Sequence, residues 1–230
     1  MKAFLCVLAL AIPATVFGDD GSKPPLVTTS GTAEIRVVPD LADLYFDVEV
    51  RNPNLDEARK QQSERVAKVL AVLRAAGIKE TELEAEQVRI GTNHIENRQE
   101  TSSVKFYFAT QRITCTLHDL SKVTDLTAEV ITAGATDSHG VTLRTSTHRK
   151  YRDEARIKAI RAAKEKAVAL ATELGAKVGK PYSITEGRDS FSSHANIVSD
   201  DSQEVYEAMS TFAPGTIGIR ATIEVSFVLE

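Results

Sequence analysis

The sequence has few features that would anchor or cross-link a chain. It contains two cysteines, Cys6 and Cys115, and one long apolar run, near the N-terminus. That run is about ten residues long, whereas a membrane-spanning helix needs about twenty. Acidic residues outnumber basic ones by 32 to 28, and no dense Lys/Arg cluster occurs. We therefore expect no transmembrane segment, and neither nucleic acid nor an anionic membrane as the main partner.

Residues 1–18 have the parts of a secretory signal peptide. Lys2 supplies the positive start, the apolar run follows at Ala3–Ile12, and Val16-Phe17-Gly18 places small or modest residues before the expected cleavage after Gly18. The alternative, a buried N-terminal helix, lacks the polar face that such a helix would carry. A lipoprotein needs a cysteine just after the apolar run, but Cys6 lies inside it. We predict export to the periplasm without a lipid anchor.

Cleavage would leave Cys115 as the one cysteine of a mature chain with net charge −5, because Lys2 is the only charged residue removed. No intrachain disulfide could then form, even in an oxidising compartment. Cys115 alternates with Ile113 and Leu117, which predicts a small buried side chain. A redox-active thiol is the alternative.

Strands are expected to alternate with three helices after a polar, flexible leader at 19–26. Strands are predicted at 27–38, 41–51, 83–90, 103–117, 141–147, 182–187 and 217–229, and helices at 55–76, 120–133 and 150–174. Residues 94–101 are predicted as a polar loop, and 189–209 as a long flexible insertion rich in Ser and Asp. The pattern indicates an α+β fold, with helices packed on a mixed, largely antiparallel sheet.

Side-chain alternation is clearest where two strand patterns meet at Pro39-Asp40, a pair that predicts a chain reversal. From Ala42 to Val50, even-numbered residues are apolar and odd-numbered ones polar, as in a half-buried strand. In the strand at 103–117 the apolar set changes from even to odd positions. We expect a bulge near Ala109–Gln111, with Phe106 and Phe108 in the core.

The helix boundaries carry recognisable signals. Asn54 is a predicted N-cap, and Gly77 a predicted C-terminal stop.

The longest helix carries a face of small residues that would permit close approach to a sheet. This face comprises Ala155, Ala159, Ala162, Ala163, Ala167, Leu170, Ala171 and Leu174. The final strand is predicted to be central, and a faint echo between 75–84 and 132–141 suggests two lobes from a degenerate repeat.

Four segments together resemble the SIMPL-domain family of exported bacterial proteins, the YggE-like group of unknown function. They are GTAEIRVVPDLADLYFDVEV, DLSKVTDLTAEVITAGA, EARIKAIRAAKEKAVALATELGAKVGKPYSITEG and PGTIGIRATIEVSFVLE, with a helix ending AAGI between the first two. The resemblance spans nearly all of residues 27–230. Two departures are the length of the 189–209 insertion and Ala33, where a second Gly is often found.

The resemblance implies an α+β fold, location in the envelope, a tendency to homo-oligomerise and a loose link to oxidative or envelope stress defence. An envelope protein is the other partner considered. The family offers no catalytic residues to carry over, so none is assigned. We expect no cofactor and no bound metal.

Motifs for familiar chemistry are missing. The sequence has no HExxH, GxSxG or GxxxxGK[ST] pattern. Its five histidines are His94, His118, His139, His148 and His194. The pairs His94/Glu96 and His139/His148 have spacings that surface residues reach by chance. Asp137-Ser138-His139 contains triad residue types, but neighbours on one strand or turn point apart.

Two further sets of residues are candidate binding surfaces. The long helix carries basic residues that would suit an anion, although Glu154 and Glu165 interrupt them and favour an ordinary solvated face. These basic residues are Arg152, Arg156, Lys158, Arg161, Lys164 and Lys166. Tyr107 is the one aromatic residue in its strand expected to be exposed.

The leading hypothesis from the sequence is a non-enzymatic envelope protein that assembles with itself or with partners. The second is an exported hydrolase whose site forms from dispersed residues around His94, His118 or His139. A redox-sensing role for Cys115 is the third.

Overall fold

The computed structural model describes residues 24–97, 100–187 and 212–230, with eight strands and three α-helices in those ranges. The signal peptide, the insertion at 189–209 and all but the last three residues of the leader lie outside them. The elements, in chain order, are β1 (Leu26–Val37), β2 (Leu41–Asn52), α1 (Leu55–Ala75), β3 (Leu83–Ala85), β4 (Arg89–Asn97), β5 (Glu100–Leu117), α2 (Val123–Ala133), β6 (Asp137–Arg144), α3 (His148–Glu173), β7 (Val178–Glu186) and β8 (Ile217–Leu229).

The strands form two antiparallel sheets rather than one. Sheet A has the order β1-β8-β7, and sheet B has the order β3-β5-β2-β6 with β4 also paired to β5. The predicted α+β class and the central position of the last strand are confirmed. Sheet A packs against α3 and sheet B against α1 and α2. Each sheet has its own apolar core, and Leu143 packs against both cores.

Sheet A carries α3 on one face. Alanines four residues apart line the buried side of the helix, and all are at most 1% exposed. They are Ala155, Ala159, Ala163, Ala167 and Ala171. The helix lies so close to β1 that a Cβ at Gly31 would be 1.9 Å from the Ala159 carbonyl oxygen. The predicted small-residue face is therefore correct in its alanine row but wrong for Leu170 and Leu174, which are exposed.

Sheet B packs one face against α1 and α2. The alternation predicted for β2 is confirmed, since Ala42, Leu44, Phe46, Val48 and Val50 are all buried. The first four meet apolar residues of β5 and of both helices in one cluster. Burial of apolar surface on this face is the main stabilising term for the lobe.

Both predicted ends of α1 are present. The Asn54 side chain accepts hydrogen bonds from the backbone N–H groups of Asp56 and Glu57. Gly77 has φ = 88°, a conformation that glycine adopts without steric cost. The following Ile78 is buried and its N–H donates to the Leu73 carbonyl at 3.2 Å. This satisfies a carbonyl that would otherwise be unpaired at the helix end.

Three local expectations are wrong. Residues 94–97 and 100–101 are paired strand, because β4 and β5 form one long hairpin. No bulge occurs at 109–111, where β5 pairs with β2 without a register shift. Phe106 and Phe108 are half-buried and belong to neither core. Phe108 lies opposite Arg51 of β2, on the face of sheet B that points away from the helices, and from Phe106 outward β5 pairs with β4 alone.

The Pro39-Asp40 connection joins the two sheets, since β1 and β2 lie in different sheets and do not pair. The Asp40 carboxylate accepts hydrogen bonds from the backbone N–H and the hydroxyl of Ser146, at 2.7 and 2.5 Å. The Asp40 N–H donates to the Arg144 carbonyl. The connection is thereby fixed to the end of β6.

Candidate functional site

Polar side chains line the face of sheet B that points away from α1 and α2. They arise from the odd-numbered residues of β2, which the strand's alternation directs to that face. The side chain of Asp47 is one of them and is only 19% exposed. Arg112 of β5 binds it with two bonds, Nε to Oδ1 at 2.9 Å and Nη2 to Oδ2 at 3.1 Å. His139 of β6 lies with Nε2 2.7 Å from Asp47 Oδ2.

This arrangement holds Asp47 ionised. The hydrogen bonds from Arg112, and then that from His139, lower the pKa of the Asp47 carboxyl despite partial burial. The same contact raises the pKa of Arg112. Asp47 is therefore a fixed negative charge at neutral pH and not a proton donor.

His139 reaches Asp47 because β6 contains one extra residue opposite β2. The register of the two strands shifts between Leu44 and Phe46, and Gly140 beside it has φ = 85°. Thr136 secures the start of β6, since its hydroxyl donates to the Asp47 carbonyl and accepts from the Glu49 N–H. The His139 imidazole is thus positioned by the extra residue of β6 beside Gly140 and by the hydrogen bonds of Thr136 at the start of the strand.

A cleft of about 490 Å³ opens beside this cluster. Its lining residues are Asp47, Glu49, Val50, Arg51, Gln61, Arg65, Thr136 and Asp137. Glu49 binds the exposed Arg51 at 2.5 Å, whereas Arg65 has no ion-pair partner among residues 24–97, 100–187 and 212–230. The cleft presents both signs of charge and would suit a small polar ligand better than an apolar one.

A second ion pair on the same face has a structural role. Arg144 binds Asp43 through Nε and through Nη2, the latter 2.7 Å from Oδ1, and Thr116 donates to the same carboxylate. Hydrogen bonding to Asp43 raises the pKa of Arg144. Because Asp43 is buried, these bonds satisfy a carboxylate that would be costly to leave unpaired.

The triad residue types do not form a triad. The Asp137 carboxylate accepts from the Ser138 N–H, whereas His139 binds Asp47, 92 residues away in sequence. His118 pairs with Glu82 at 2.7 Å on the surface. The side chain of His94 and all of His194 lie outside the described parts. Within those parts, no group of three or more His, Cys, Asp or Glu side chains could hold a metal.

Cys115 lies in the sheet B core and is fully buried. Burial, with a smaller effect from the Asp43 charge, raises the pKa of its thiol to about 12. The thiolate is the reactive form of cysteine, so this thiol is poorly placed for redox chemistry.

The aromatic residues of β5 make local contacts. The Arg51 guanidinium lies 5.5 Å from the centre of the Phe106 ring. Phe108 lies opposite Gly91, where an added Cβ would be 2.3 Å from its ring. Tyr107 is half-buried rather than exposed.

The basic residues of α3 divide into two groups. Arg152 and Arg156 bind Glu186 of β7, Lys158 binds Glu154, and the Lys166 ammonium donates to the Ser30 carbonyl. Arg161 and Lys164 have no ion-pair partner in the described ranges.

Exposed apolar residues accompany Arg161 and Lys164, a feature that the sequence analysis missed. Ile157, Ile160 and Val168 are 51%, 41% and 45% exposed. Their spacing of three and eight residues, outside the alanine row, is the signal that could have revealed them.

None of the helices in the described ranges combines the length and apolar character needed to cross a bilayer. The sequence matches the family described as "SIMPL: Protein of unknown function (DUF541)" over residues 27–227, and the chain belongs to this family. The resemblance drawn from the sequence motifs is therefore confirmed.

Named relatives extend the match along most of the chain. The "Uncharacterized protein YggE" of Edwardsiella ictaluri is 32% identical over 187 residues, covering 78% of each chain. The protein of the same name in Escherichia coli is 29% identical over 208 residues, covering 90% of this chain and 84% of the relative. The "26 kDa periplasmic immunogenic protein" of Brucella melitensis is 24% identical over 192 residues, covering 80% of this chain and 76% of the relative.

Proposed function

We propose that the chain is an exported, non-enzymatic envelope protein that acts by assembling with copies of itself, with an envelope protein as a further partner. Residues 1–18 have the pattern of a cleaved signal peptide without a lipoprotein cysteine. The name of the Brucella relative places that protein in the periplasm, which supports the same location here. Its biological setting would be tolerance of oxidative or envelope stress.

The distribution of exposed apolar side chains carries this proposal. Ten large apolar residues are exposed in the described ranges, and seven of them lie in or directly beside α3 and β7. These seven are Ile157, Ile160, Val168, Leu170, Leu174, Tyr182 and Ile184. Single exposed apolar residues are ordinary, but a concentration in two neighbouring elements is typical of an interaction surface.

Light scattering of purified residues 19–230 at tens of micromolar tests self-assembly. We expect a mass that is a multiple of the protomer mass, because the apolar surface of the α3 side would be covered in the assembly. A strictly monomeric protein would contradict the proposal. For the biological role, cells lacking the gene should lose peroxide tolerance and regain it with the intact gene.

An exported hydrolase is the second candidate, and the Asp47–His139 pair beside the cleft is the observation that favours it. A carboxylate that orients an imidazole is one part of a nucleophilic or general-base site. Hydrolysis of a panel of fluorogenic esters and peptides tests it. Activity lost in His139→Gln but kept in His118→Gln would support an enzyme, and no activity in the wild-type protein would dismiss it.

A further inference from the structure

One side of α3 carries an exposed stripe, here called the α3 ridge, that consists of Ile157, Ile160, Arg161, Lys164 and Val168. Residues three, four and seven positions apart share a face of a helix. Ile160, Lys164 and Val168 continue the row begun by Arg152 and Arg156. Unlike those two arginines, the two cations of the ridge have no ion-pair partner in the described ranges. The ridge is thus an apolar surface with two unpaired positive charges.

A groove with negative rather than positive charges lies between the end of α1 and α2, the helices that pack on sheet B. This α1–α2 cleft has a volume of about 480 Å³. Its apolar lining consists of Val72, Ala75, Ala76, Leu117 and Leu126. Asp125 and Glu129 stand one helical turn apart along it, both exposed and both without an ion-pair partner in the described ranges. Lys122 also lines the cleft, but it lies 3.5 Å from Asp119.

We propose that the α3 ridge of one copy docks into the α1–α2 cleft of a second copy. The inference rests on the proposed self-assembly and names the surfaces that carry it. Opposite charges meet in this arrangement, and the apolar residues of the ridge cover the apolar lining of the cleft. A single helix laid in a groove between two helices is a common packing mode.

The spacing of the charges also matches. Arg161 and Lys164 are three residues apart, a rise of about 4.5 Å along α3. Asp125 and Glu129 are four residues apart, a rise of about 6 Å along α2. The difference is smaller than the reach of an arginine or lysine side chain, so both ion pairs can form at once.

Two symmetric alternatives are disfavoured. If two α3 ridges faced each other, Arg161 and Lys164 would be brought against their own copies, and like charges in contact are repulsive. Pairing through the free edge of β7 is opposed by Pro181 and by two register shifts in that strand. Because the ridge and the cleft are different patches, repetition of the contact produces a ring or an open filament.

Charge reversal on each side tests the contact by sedimentation. The ridge variant combines Arg161→Glu with Lys164→Glu, and the cleft variant combines Asp125→Lys with Glu129→Lys. Either variant should weaken assembly at least tenfold, because two attractive contacts become repulsive. An equimolar mixture of the two should assemble again, since each supplies the intact partner surface that the other lacks.

The matched control is Arg59→Glu with Lys60→Glu, an equal reversal of two exposed cations near the start of α1. It should leave assembly unchanged. Wild-type assembly that persists in both test variants would overturn this interface while leaving self-assembly intact. A monomeric wild-type protein would overturn self-assembly itself, and the docking with it.

Cysteine cross-linking provides a second measurement that does not depend on charge reversal being tolerated. Cys115 is buried, so an introduced surface cysteine would be the reactive thiol of the mature chain. Lys164→Cys mixed with Glu129→Cys should give a disulfide-linked dimer under mild oxidation. A dimer formed equally well by Lys164→Cys alone would identify a symmetric contact and overturn the proposal.

Discussion

Replacing Gly31 with alanine should separate α3 from sheet A. The added Cβ would lie 1.9 Å from the Ala159 carbonyl oxygen and 2.6 Å from the Ala163 backbone nitrogen. Both are backbone atoms of a helix and cannot move aside as a flexible side chain would. The helix must therefore shift away from β1 as a unit, which also strains the 2.7 Å hydrogen bond from Thr29 to the Ala163 carbonyl.

The expected cost follows from these contacts. Overpacking a core by one methyl group costs about 1–3 kcal/mol. A strained buried hydrogen bond adds about 1 kcal/mol. Because the clash at Gly31 involves rigid backbone, we expect a loss of about 3 kcal/mol or more in the free energy of unfolding.

Urea unfolding followed by far-UV circular dichroism measures this loss. Gly187→Ala is the matched control, since a Cβ there would lie 3.4 Å from its nearest neighbour, the Thr222 carbonyl oxygen. It should change stability by no more than about 0.5 kcal/mol. If Gly31→Ala were as stable as this control, the close approach of α3 to β1 would be refuted.

Three further predictions concern sheet B and α1. Arg112 and His139 hold the pKa of Asp47 below its ordinary value of 3.8, so the stabilising effect of the carboxylate is present above about pH 4 and is lost as the pH falls further. The difference in free energy of unfolding between the wild-type protein and Asp47→Asn, measured with urea, should therefore shrink on acidification. A difference that does not change with pH would contradict this. Cys115 should resist N-ethylmaleimide until the protein unfolds, as mass spectrometry would report, and rapid native labelling would contradict its burial. Asn54→Ala should lower stability by about 1 kcal/mol in thermal denaturation through loss of the helix cap, and an unchanged melting temperature would mean that the cap is dispensable.

Local features of the fold could be predicted because they depend on residues close in sequence. The alternation of β2, the cap at Asn54 and the stop at Gly77 each follow from a few neighbouring side chains. The alanine row of α3 was also visible as a four-residue repeat. Leu170 and Leu174 were misplaced because the sequence does not reveal how wide a stripe the sheet covers.

The division into two sheets depends on pairings distant in sequence. Ile35 of β1 pairs with Ile219 of β8, and no local pattern encodes such a partner. The expected reversal at Pro39-Asp40 gave no sign that the strands on its two sides belong to different sheets. Phe106 and Phe108 were assigned to the core because their alternation is that of a buried face. The sequence does not show that Phe108 lies opposite Arg51, on the polar face of sheet B, or that Phe106 lies beyond the end of β2.

The candidate site could not be predicted either, because it also depends on strand pairings that are distant in sequence. His139 and Asp47 meet only because β6 pairs with β2 and contains one extra residue at that point. Asp137 and Ser138 are neighbours of His139 in sequence, but neither contacts its imidazole through a hydrogen bond that the structure shows. Sequence analysis recognised the histidine as a candidate without indicating its partner.

Sedimentation velocity of residues 19–230 over a dilution series, at low and at high salt, tests the central claim most directly. We predict species larger than the protomer that dissociate on dilution and do so more readily at high salt, because the proposed contact includes exposed opposite charges. A single protomer-sized species at every concentration and salt level would contradict the account.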